Sequence, residues 1–231
     1  MKREWNFEKG EILLFDKPFD WSSFDLVQKI KNTIKKHTGN KVKVGHAGTL
    51  DPYATGLLIL CTGKATKTID LIQNQPKIYS GIIKLGATTA SYDLESEPNQ
   101  FFPIEHISNE KIVETAKKFI GEQEQMPPIF SAKMINGQRA YELARKGEVP
   151  VMNPKKIEIF DFKVNRKSLD EVEFIVKSSK GTYIRSLAHD FGRALDSGAY
   201  LAALRRDAIG EHLLSKAYTI ESFSNSFRGP A

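Results

Sequence analysis

The apolar segments of this chain are short, and their spacing switches repeatedly between that of strands and that of helices. Residues 12–15 and 57–61 are continuous apolar runs of strand length, and residues 78–85 alternate as a strand does. No run approaches the roughly 20 residues that are needed to cross a bilayer. The pattern therefore predicts a mixed α/β chain with one sheet and several covering helices, in which the run at 57–61 is buried on both faces.

The first helix has clear predicted ends. Ser22 and Asp25 have the spacing of a capping box, and Gly39 is a natural stop. Its apolar positions are Leu26, Val27, Ile30 and Ile34. Further helices are predicted at residues 109–120, 139–146, 183–195 and 200–206, and further strands at 157–164 and 172–177. We expect a turn at residues 86–89 and a loop over residues 97–103.

The composition of the 231 residues is that of an ordinary globular protein, with 40% hydrophobic and 27% charged residues. Cys61 is the single cysteine, which excludes an internal disulfide framework and a cysteine-cluster metal site. The five histidines are scattered without the spacing of metal ligands. The N-terminal residues lack the long apolar stretch of a signal peptide, so we expect a soluble, cytoplasmic protein without a membrane partner.

Asp51 is the single acidic residue between Leu26 and Ile69. The same stretch contains eight lysines, at positions 29, 31, 35, 36, 41, 43, 64 and 67. This balance, with a net charge of +6 for the whole chain, favours a site that attracts a polyanion and acts on it with one carboxylate. The alternative is structural: Asp51 before Pro52 is typical of a cap or a turn, and the lysines are then only a solvated face.

A second basic cluster lies at a predicted strand-to-helix junction and includes Arg185. A guanidinium can hold a carboxylate from two directions, so Arg185 would keep Asp51 ionised and oriented if the fold brings the two together. Other chemistries fit poorly. The segment around Lys64 has the wrong spacing for a phosphate-binding loop. The sequence also lacks the glycine-rich motif of dinucleotide-binding proteins and the Gly-x-Ser-x-Gly motif of serine hydrolases.

Several segments occur in an order that resembles the TruB family of tRNA pseudouridine-55 synthases. They are Asp16-Lys17-Pro18 with Ser22-Ser23, residues 45–56 (GHAGTLDPYATG), 63–67 (GKATK), 127–133 (PPIFSAK), 181–185 (GTYIR) and 204–206 (LRR). The similarity spans about residues 10–213. It implies an α+β fold of the pseudouridine-synthase type, with a mixed, mainly antiparallel central sheet flanked by helices in a single catalytic domain over residues 1–231.

The resemblance also implies the activity. Such an enzyme is an isomerase that detaches a uracil of the tRNA T-loop, at position 55, and rejoins it to the ribose through carbon, without a cofactor or a metal. We expect tRNA, through its T-stem-loop, as the partner of a monomer. Residues 125–152 correspond to an RNA-gripping thumb. Many bacterial members of the family carry an RNA-binding PUA module after the catalytic domain. Only 25 residues follow Arg206 (231 − 206), fewer than the roughly 50 that a domain needs, so we expect no complete C-terminal PUA domain.

Residue by residue, Asp51 matches the catalytic aspartate of the family and Arg185 the arginine paired with it. Tyr79 matches the tyrosine that packs on the target uracil. The remaining predicted substrate-binding residues are His46, Tyr183, Leu204, Lys17 and Lys64, of which Lys17 belongs to a motif that supports the active-site loop. Without the resemblance, each of these side chains has an ordinary structural interpretation, as a surface-loop histidine, a core aromatic or a solvated charge.

The chemistry can be stated in physical terms. A uracil hidden in an RNA stack must be turned outward, which costs a few kcal/mol, and an aromatic face such as Tyr79 returns about 1–3 kcal/mol by stacking. Asp51 can act as a nucleophile at the sugar, as a nucleophile at the base, or as a base that removes a sugar proton. The sequence leaves these routes open. It also leaves open a non-catalytic RNA-binding or RNA-folding protein, and a synthase directed to another RNA.

Overall fold

The computed structural model describes residues 5–131 and 152–227, together with 134–135, 137–139 and 143. The strands are β1 (Ile12–Lys17), β2 (Val44–His46), β3 (Ala54–Thr62), β4 (Lys77–Leu85), β5 (Ala87–Thr89), β6 (Pro98–Phe101), β7 (Gly121–Gln125), β8 (Met134–Ile135), β9 (Gln138–Arg139), β10 (Lys155–Arg166), β11 (Glu171–Ser178), β12 (Ala199–Ile209) and β13 (His212–Leu213). The helices are α1 (Ser23–Thr38), α2 (Ile69–Gln73), α3 (Asn109–Lys118), α4 (Ile184–Ala194) and α5 (Ile220–Asn225), with short 3-10 helices at Gly63–Thr68 and Leu214–Lys216.

The chain forms two compact units. The first unit contains Met1–Tyr79 and Arg205–Ala231, and the second unit contains Ser80–Leu204. Two strands, β4 and β12, have residues in both units. Each unit is described by itself below.

The sheet of the first unit is built around β3. Strand β1 pairs with β3 in antiparallel fashion from Ile12 opposite Cys61 to Lys17 opposite Gly56, and β12 lies on the other side of β3. Gly56 has φ +100°, and a Cβ there would collide with the backbone of Arg206, so a glycine allows β3 and β12 to approach closely. The side chains of β3 enter two apolar clusters, one with Leu58 and Leu60 and the other with Leu57, Ile59 and Cys61. The predicted burial of this strand on both faces is confirmed.

Helix α1 has the ends that the sequence predicts. Ser22 and Asp25 form a reciprocal capping box, and Gly39 ends the helix in a left-handed conformation with φ +77°. The predicted apolar positions are buried, because residues three and four apart share one face of a helix. The lysines of α1 are all exposed: they are Lys29, Lys31, Lys35 and Lys36.

The second unit contains the rest of the sheet, in the order β12-β4-β11-β10-β7. Strand β10 pairs with both β11 and β7 in antiparallel fashion, with an irregularity between Ile159 and Asp161. Helices α3 and α4 belong to the same unit, and edge-to-face or tilted contacts join Phe119, Phe162 and Phe191 in its core. The predicted mixed, mainly antiparallel sheet with covering helices is confirmed.

Some sequence-based predictions of secondary structure are wrong. Residues 200–206, predicted as a helix, lie in β12, because sheet pairing overrides a modest local helix propensity. Residues 87–89 and 98–101, predicted as a turn and a loop, form the antiparallel pair β5 and β6. Of the helix predicted at 139–146, Arg139 lies in β9 and Leu143 is helical. Residues 140–142 and 144–146 lie outside the described residues, as does half of the predicted thumb at 125–152.

None of the helices in the described part of the chain is both long enough and apolar enough to cross a membrane.

Candidate active site

Arg206 holds the start of the loop that contains Asp51. Its side chain is 1% exposed, and its guanidinium donates hydrogen bonds to three backbone carbonyl oxygens: that of Gly48 at 2.9 Å, that of Thr49 at 3.3 Å and that of Leu57 at 2.7 Å. A planar fork with donors in several directions suits this arrangement. The guanidinium is therefore turned to the protein interior and serves the backbone of the loop.

The next part of the loop is held by Ser23 and Lys17. The buried Ser23 hydroxyl donates to the Leu50 carbonyl at 3.0 Å and accepts from the Leu50 N–H at 2.8 Å. The Lys17 ammonium, 0% exposed, donates to the Pro52 carbonyl at 3.1 Å. Ser23 and Lys17 come from α1 and β1, so the loop is fixed to two regular elements.

Asp51 itself begins a tight turn. Its carbonyl oxygen accepts a hydrogen bond of 3.1 Å from the Ala54 N–H, at the first residue of β3. Together with the contacts of Arg206, Ser23 and Lys17, this bond means that every carbonyl oxygen from residue 48 to residue 52 has a donor. The Asp51 side chain is half-buried. The backbone is thus fixed while the carboxylate keeps access to solvent, as a preorganised reactive group requires.

Two buried cations support this loop and set its electrostatics. The pKa of Lys17 is lowered to about 8: burial is the largest cause, the nearby Asp51 carboxylate opposes the fall, and the charge of Arg206 adds to it. The ammonium therefore lies close enough to Asp51 to interact with its charge. This contact supports the predicted role of Lys17 in holding the active-site loop.

His46 lies at the end of β2, opposite Leu60 of β3. Burial lowers its pKa, and the positive charge of Arg206 lowers it further. The imidazole is therefore neutral at pH 7 and lies within the electrostatic range of the residue that holds the Asp51 loop. A neutral imidazole can donate or accept one hydrogen bond without adding charge to the site.

The other two candidates of the first unit lie elsewhere. Lys64 is exposed in the 3-10 helix that follows β3, whereas Asp51 precedes β3. A strand of nine residues spans about 30 Å, so Lys64 does not belong to the Asp51 loop. Tyr79 lies on β4 and is 9% exposed. Roles for both in substrate binding stay predictions.

In the second unit, Arg185 has a partner that sequence reasoning missed. It lies in the first turn of α4, is 5% exposed, and places its guanidinium 3.4 Å from the Asp93 carboxylate and 3.3 Å from the Ser91 carbonyl oxygen. Asp93 is also buried and accepts from the Ser91 hydroxyl at 2.6 Å and from the Glu95 N–H at 2.9 Å. Asp93 thus orients Arg185. The predicted pairing of Arg185 with Asp51 joins residues of different units and stays a prediction.

Tyr183 is the residue that precedes α4, and its backbone is fixed by Gln125. The Gln125 side chain accepts from the Tyr183 N–H at 2.8 Å and donates to the Tyr183 carbonyl at 3.0 Å. The Tyr183 ring is half-buried, as is Leu204 on β12. Gln125 is a second supporting residue without a signal in the sequence, since its partner lies 58 residues away along the chain.

A family model described as TruB family pseudouridylate synthase (N terminal domain) matches residues 35–184. The chain belongs to the TruB family. The relatives include the tRNA pseudouridine synthase B of Flavobacterium johnsoniae, 51% identical over 222 residues that cover 95% of this chain and 97% of that protein. The protein of the same name from Phocaeicola vulgatus is 49% identical over 94% of this chain and 93% of its own length.

Two solved structures have a fold similar to that of this chain. A chain in the crystal structure of a Cbf5-Nop10-Gar1 complex is 27% identical with a TM-score of 0.71, over 95% of this chain and 54% of that chain. This TruB-family chain therefore spans about half the length of that relative. A chain of an H/ACA ribonucleoprotein bound to a substrate RNA, at 24% identity and a TM-score of 0.68 over 95% and 53% of the two chains, shows the fold alone.

Proposed function

We propose that this protein is an isomerase that converts uridine to pseudouridine at position 55 in the T-loop of tRNA. The observation that carries the proposal is the Asp51 loop, in which every carbonyl of residues 48–52 is held and one carboxylate stays accessible. Curated relatives that are 51% and 49% identical over 95% and 94% of this chain are named tRNA pseudouridine synthase B.

Charge argues for an enzyme rather than for a protein that only binds RNA. The exposed lysines between Leu26 and Ile69 suit the phosphates of a polyanion: they are Lys29, Lys31, Lys35, Lys36, Lys41, Lys43, Lys64 and Lys67. A carboxylate among them repels phosphate and weakens binding. Holding that carboxylate on a fixed loop is useful only if it reacts with the nucleotide.

The proposed roles of the individual residues are those that the resemblance to the TruB family implies. Asp51 attacks the sugar or the base, or removes a sugar proton, while the uracil leaves the ribose and returns through carbon with no net change in atoms. Arg185 pairs with Asp51, and Tyr79 stacks on the extruded uracil. His46, Tyr183 and Leu204 line the base pocket, and the buried Lys17 positions the loop. The protein acts as a cytoplasmic monomer.

Incubation with an unmodified tRNA transcript, followed by mapping of any pseudouridine, tests the proposal. We expect modification at position 55 by the unaltered protein, and no product from Asp51→Asn with RNA affinity retained within about threefold. Asp70→Asn, which changes an exposed acid of α2 in the same unit, is the matched control and should keep full activity.

Two results would contradict the proposal. Normal product formation by Asp51→Asn would remove the carboxylate from the mechanism. Modification of a ribosomal RNA transcript while the tRNA stays unmodified would assign the enzyme to another substrate.

A further inference from the structure

Two aromatic rings are stacked on each other at the surface beside the Asp51 loop. The rings of Phe19 and Tyr53 have centroids 5.2 Å apart and planes 12° from parallel. Phe19 is 56% exposed and Tyr53 is 37% exposed. Single exposed apolar side chains are common on proteins, but a stacked, nearly parallel pair presents a larger flat π surface than one ring does. The mechanism described above makes no use of it.

The position of this pair is fixed by Lys17, which also fixes the Asp51 loop. The buried ammonium donates to the carbonyl of Pro18 at 3.0 Å and to that of Pro52 at 3.1 Å. These are the residues immediately before Phe19 and Tyr53. One buried cation therefore holds the backbone on both sides of the stack.

Two further contacts tie the stack to the reactive loop. The Asp20 N–H donates to the Pro52 carbonyl at 3.0 Å, so the turn after Phe19 is joined to the segment before Tyr53. Tyr53 lies inside the turn that the Asp51 carbonyl closes with the Ala54 N–H. The rings consequently have a defined position relative to the Asp51 carboxylate, which suits a surface that positions a substrate.

The charges nearby indicate which ligand the stack suits. Helix α1 begins at Ser23, four residues after Phe19, and exposes lysines at positions 29, 31, 35 and 36. A ligand that places a planar group on the rings and phosphates along this helix satisfies both features. Single-stranded nucleic acid has both, since every base has a π face that stacks on aromatic side chains and every linkage carries a negative charge. An apolar protein segment would leave the lysines without complementary charge.

We propose that the Phe19–Tyr53 stack binds an unpaired nucleobase of the substrate RNA, other than the target uridine, by stacking it on Phe19, the more exposed of the two rings. The bound base anchors the RNA loop while the target nucleotide lies at Asp51. The inference rests on the proposed function, because it takes the substrate to be an RNA loop with unpaired bases.

A stem-loop RNA of the T-arm type tests the proposal, with each loop nucleotide replaced in turn by an abasic one. On the unsubstituted RNA, Phe19→Ala should raise Kd and KM by about 5- to 150-fold, the equivalent of about 1–3 kcal/mol per stacked base, with kcat nearly unchanged. One abasic position should weaken binding to the unaltered protein by a similar factor and have little further effect on Phe19→Ala. Phe19→Tyr should restore affinity, and Phe19→Leu should not.

Phe101→Ala is the matched control. Phe101 is another exposed phenylalanine, 79% exposed on β6 of the second unit. Its replacement by alanine should leave RNA affinity unchanged. The proposal is overturned if Phe19→Ala behaves like Phe101→Ala, or if all abasic positions weaken both proteins equally. It is also overturned if sedimentation shows that Phe19→Ala changes self-association while RNA affinity stays the same, because the stack is then a protein contact.

Failure of this inference differs from failure of the proposed function. If the unaltered protein forms no pseudouridine in the unsubstituted stem-loop or in full tRNA, the proposed function is wrong. If it turns over normally and only the Phe19 variants lack an effect, the enzyme assignment stands and the stacking proposal alone is wrong.

Discussion

The guanidinium of Arg206 donates a hydrogen bond of 2.9 Å to the carbonyl oxygen of Gly48, although the two residues are 158 positions apart. Gly48 lies three residues before Asp51, in a left-handed conformation with φ +106°. Because the buried guanidinium of Arg206 donates to backbone carbonyls of the Asp51 loop, the geometry of this loop depends on β12. The position of the carboxylate is therefore a tertiary property.

This relationship predicts that Arg206→Lys impairs both stability and turnover. Lysine keeps the charge but cannot reach the carbonyls of Gly48, Thr49 and Leu57 at once. We expect the free energy of unfolding to fall by about 3 kcal/mol, because buried acceptors lose their donors. We expect kcat to fall about 100-fold, since a small displacement of a catalytic group is costly. Urea denaturation and single-turnover kinetics measure the two effects.

Arg205→Lys is the control for that variant. Arg205 is the neighbouring arginine, but it is part-exposed and pairs with Asp16 at 2.8 Å. A partly exposed ion pair contributes about 0–1 kcal/mol, so Arg205→Lys should change stability little. Equal effects of the two substitutions would mean that the three carbonyl contacts of Arg206 do not position the loop.

A second prediction concerns the ammonium beneath the loop. Lys17→Met keeps most of the side-chain volume but removes the donor to Pro52, so kcat should fall about 10- to 100-fold while RNA affinity changes less. Lys77→Met is a matched control. Lys77 is also a buried lysine of the first unit whose ammonium donates to backbone carbonyls, those of Gln73 and Gln75. The Lys77→Met variant should lose stability as Lys17→Met does, but the kcat of its folded fraction should equal that of the unaltered protein.

The pH dependence of activity gives a third prediction. Burial lowers the pKa of Lys17 to about 8, so in the folded protein this lysine is charged at pH 7 and neutral at pH 9. Loss of the proton removes one donor and the positive charge beside Asp51. The kcat of the unaltered protein should therefore decline as the pH rises through 8, and a pH–rate profile measures this decline.

The alkaline decline should be absent from Lys17→Met, whose side chain does not titrate, and present in Lys77→Met. A profile of Lys17→Met that falls with the same midpoint as that of the unaltered protein would assign the decline to another group, such as a base of the RNA.

Local signals explain which parts of the fold were predictable. The ends of α1 were predicted because Ser22, Asp25 and Gly39 act on their own helix. Asp51 is predictable because its isolation among lysines is visible in the sequence alone. The residues that hold the loop, Arg206, Ser23 and Lys17, are harder to predict. Each of them contacts the loop from a distant segment of the chain.

Arg206 shows why the residues that support the site cannot be predicted from the sequence. Residues 200–206 have the composition of a helix, on which Arg205 and Arg206 would be two similar basic residues. In strand β12, neighbouring side chains point to opposite faces, and Arg206 is buried while Arg205 stays part-exposed. The error in secondary structure therefore concealed the difference between the two arginines. Asp93 had no local signal at all, since its carboxylate is distinguished only by its approach to Arg185.

The buried ion pair of the second unit gives the last prediction. Asp93→Asn keeps the size of the side chain but leaves the Arg185 guanidinium without the charge 3.4 Å away. Breaking a buried pair from one side costs about 3–5 kcal/mol, so the melting temperature should fall clearly. Turnover at a temperature where the variant is folded should fall as well, because Asp93 orients an arginine of the proposed site. Differential scanning calorimetry and single-turnover assays measure these effects.

The exposed ion pair of the same unit supplies the comparison. Asp196 is bonded to Lys111 at 2.9 Å with 81% of its side chain exposed, so Asp196→Asn should cost about 0–1 kcal/mol and leave turnover unchanged. A loss of stability for Asp93→Asn without any loss of activity would mean that the pair serves the fold alone. In that case contacts that the substitution leaves in place, such as the one with the Ser91 carbonyl, would be enough to orient Arg185.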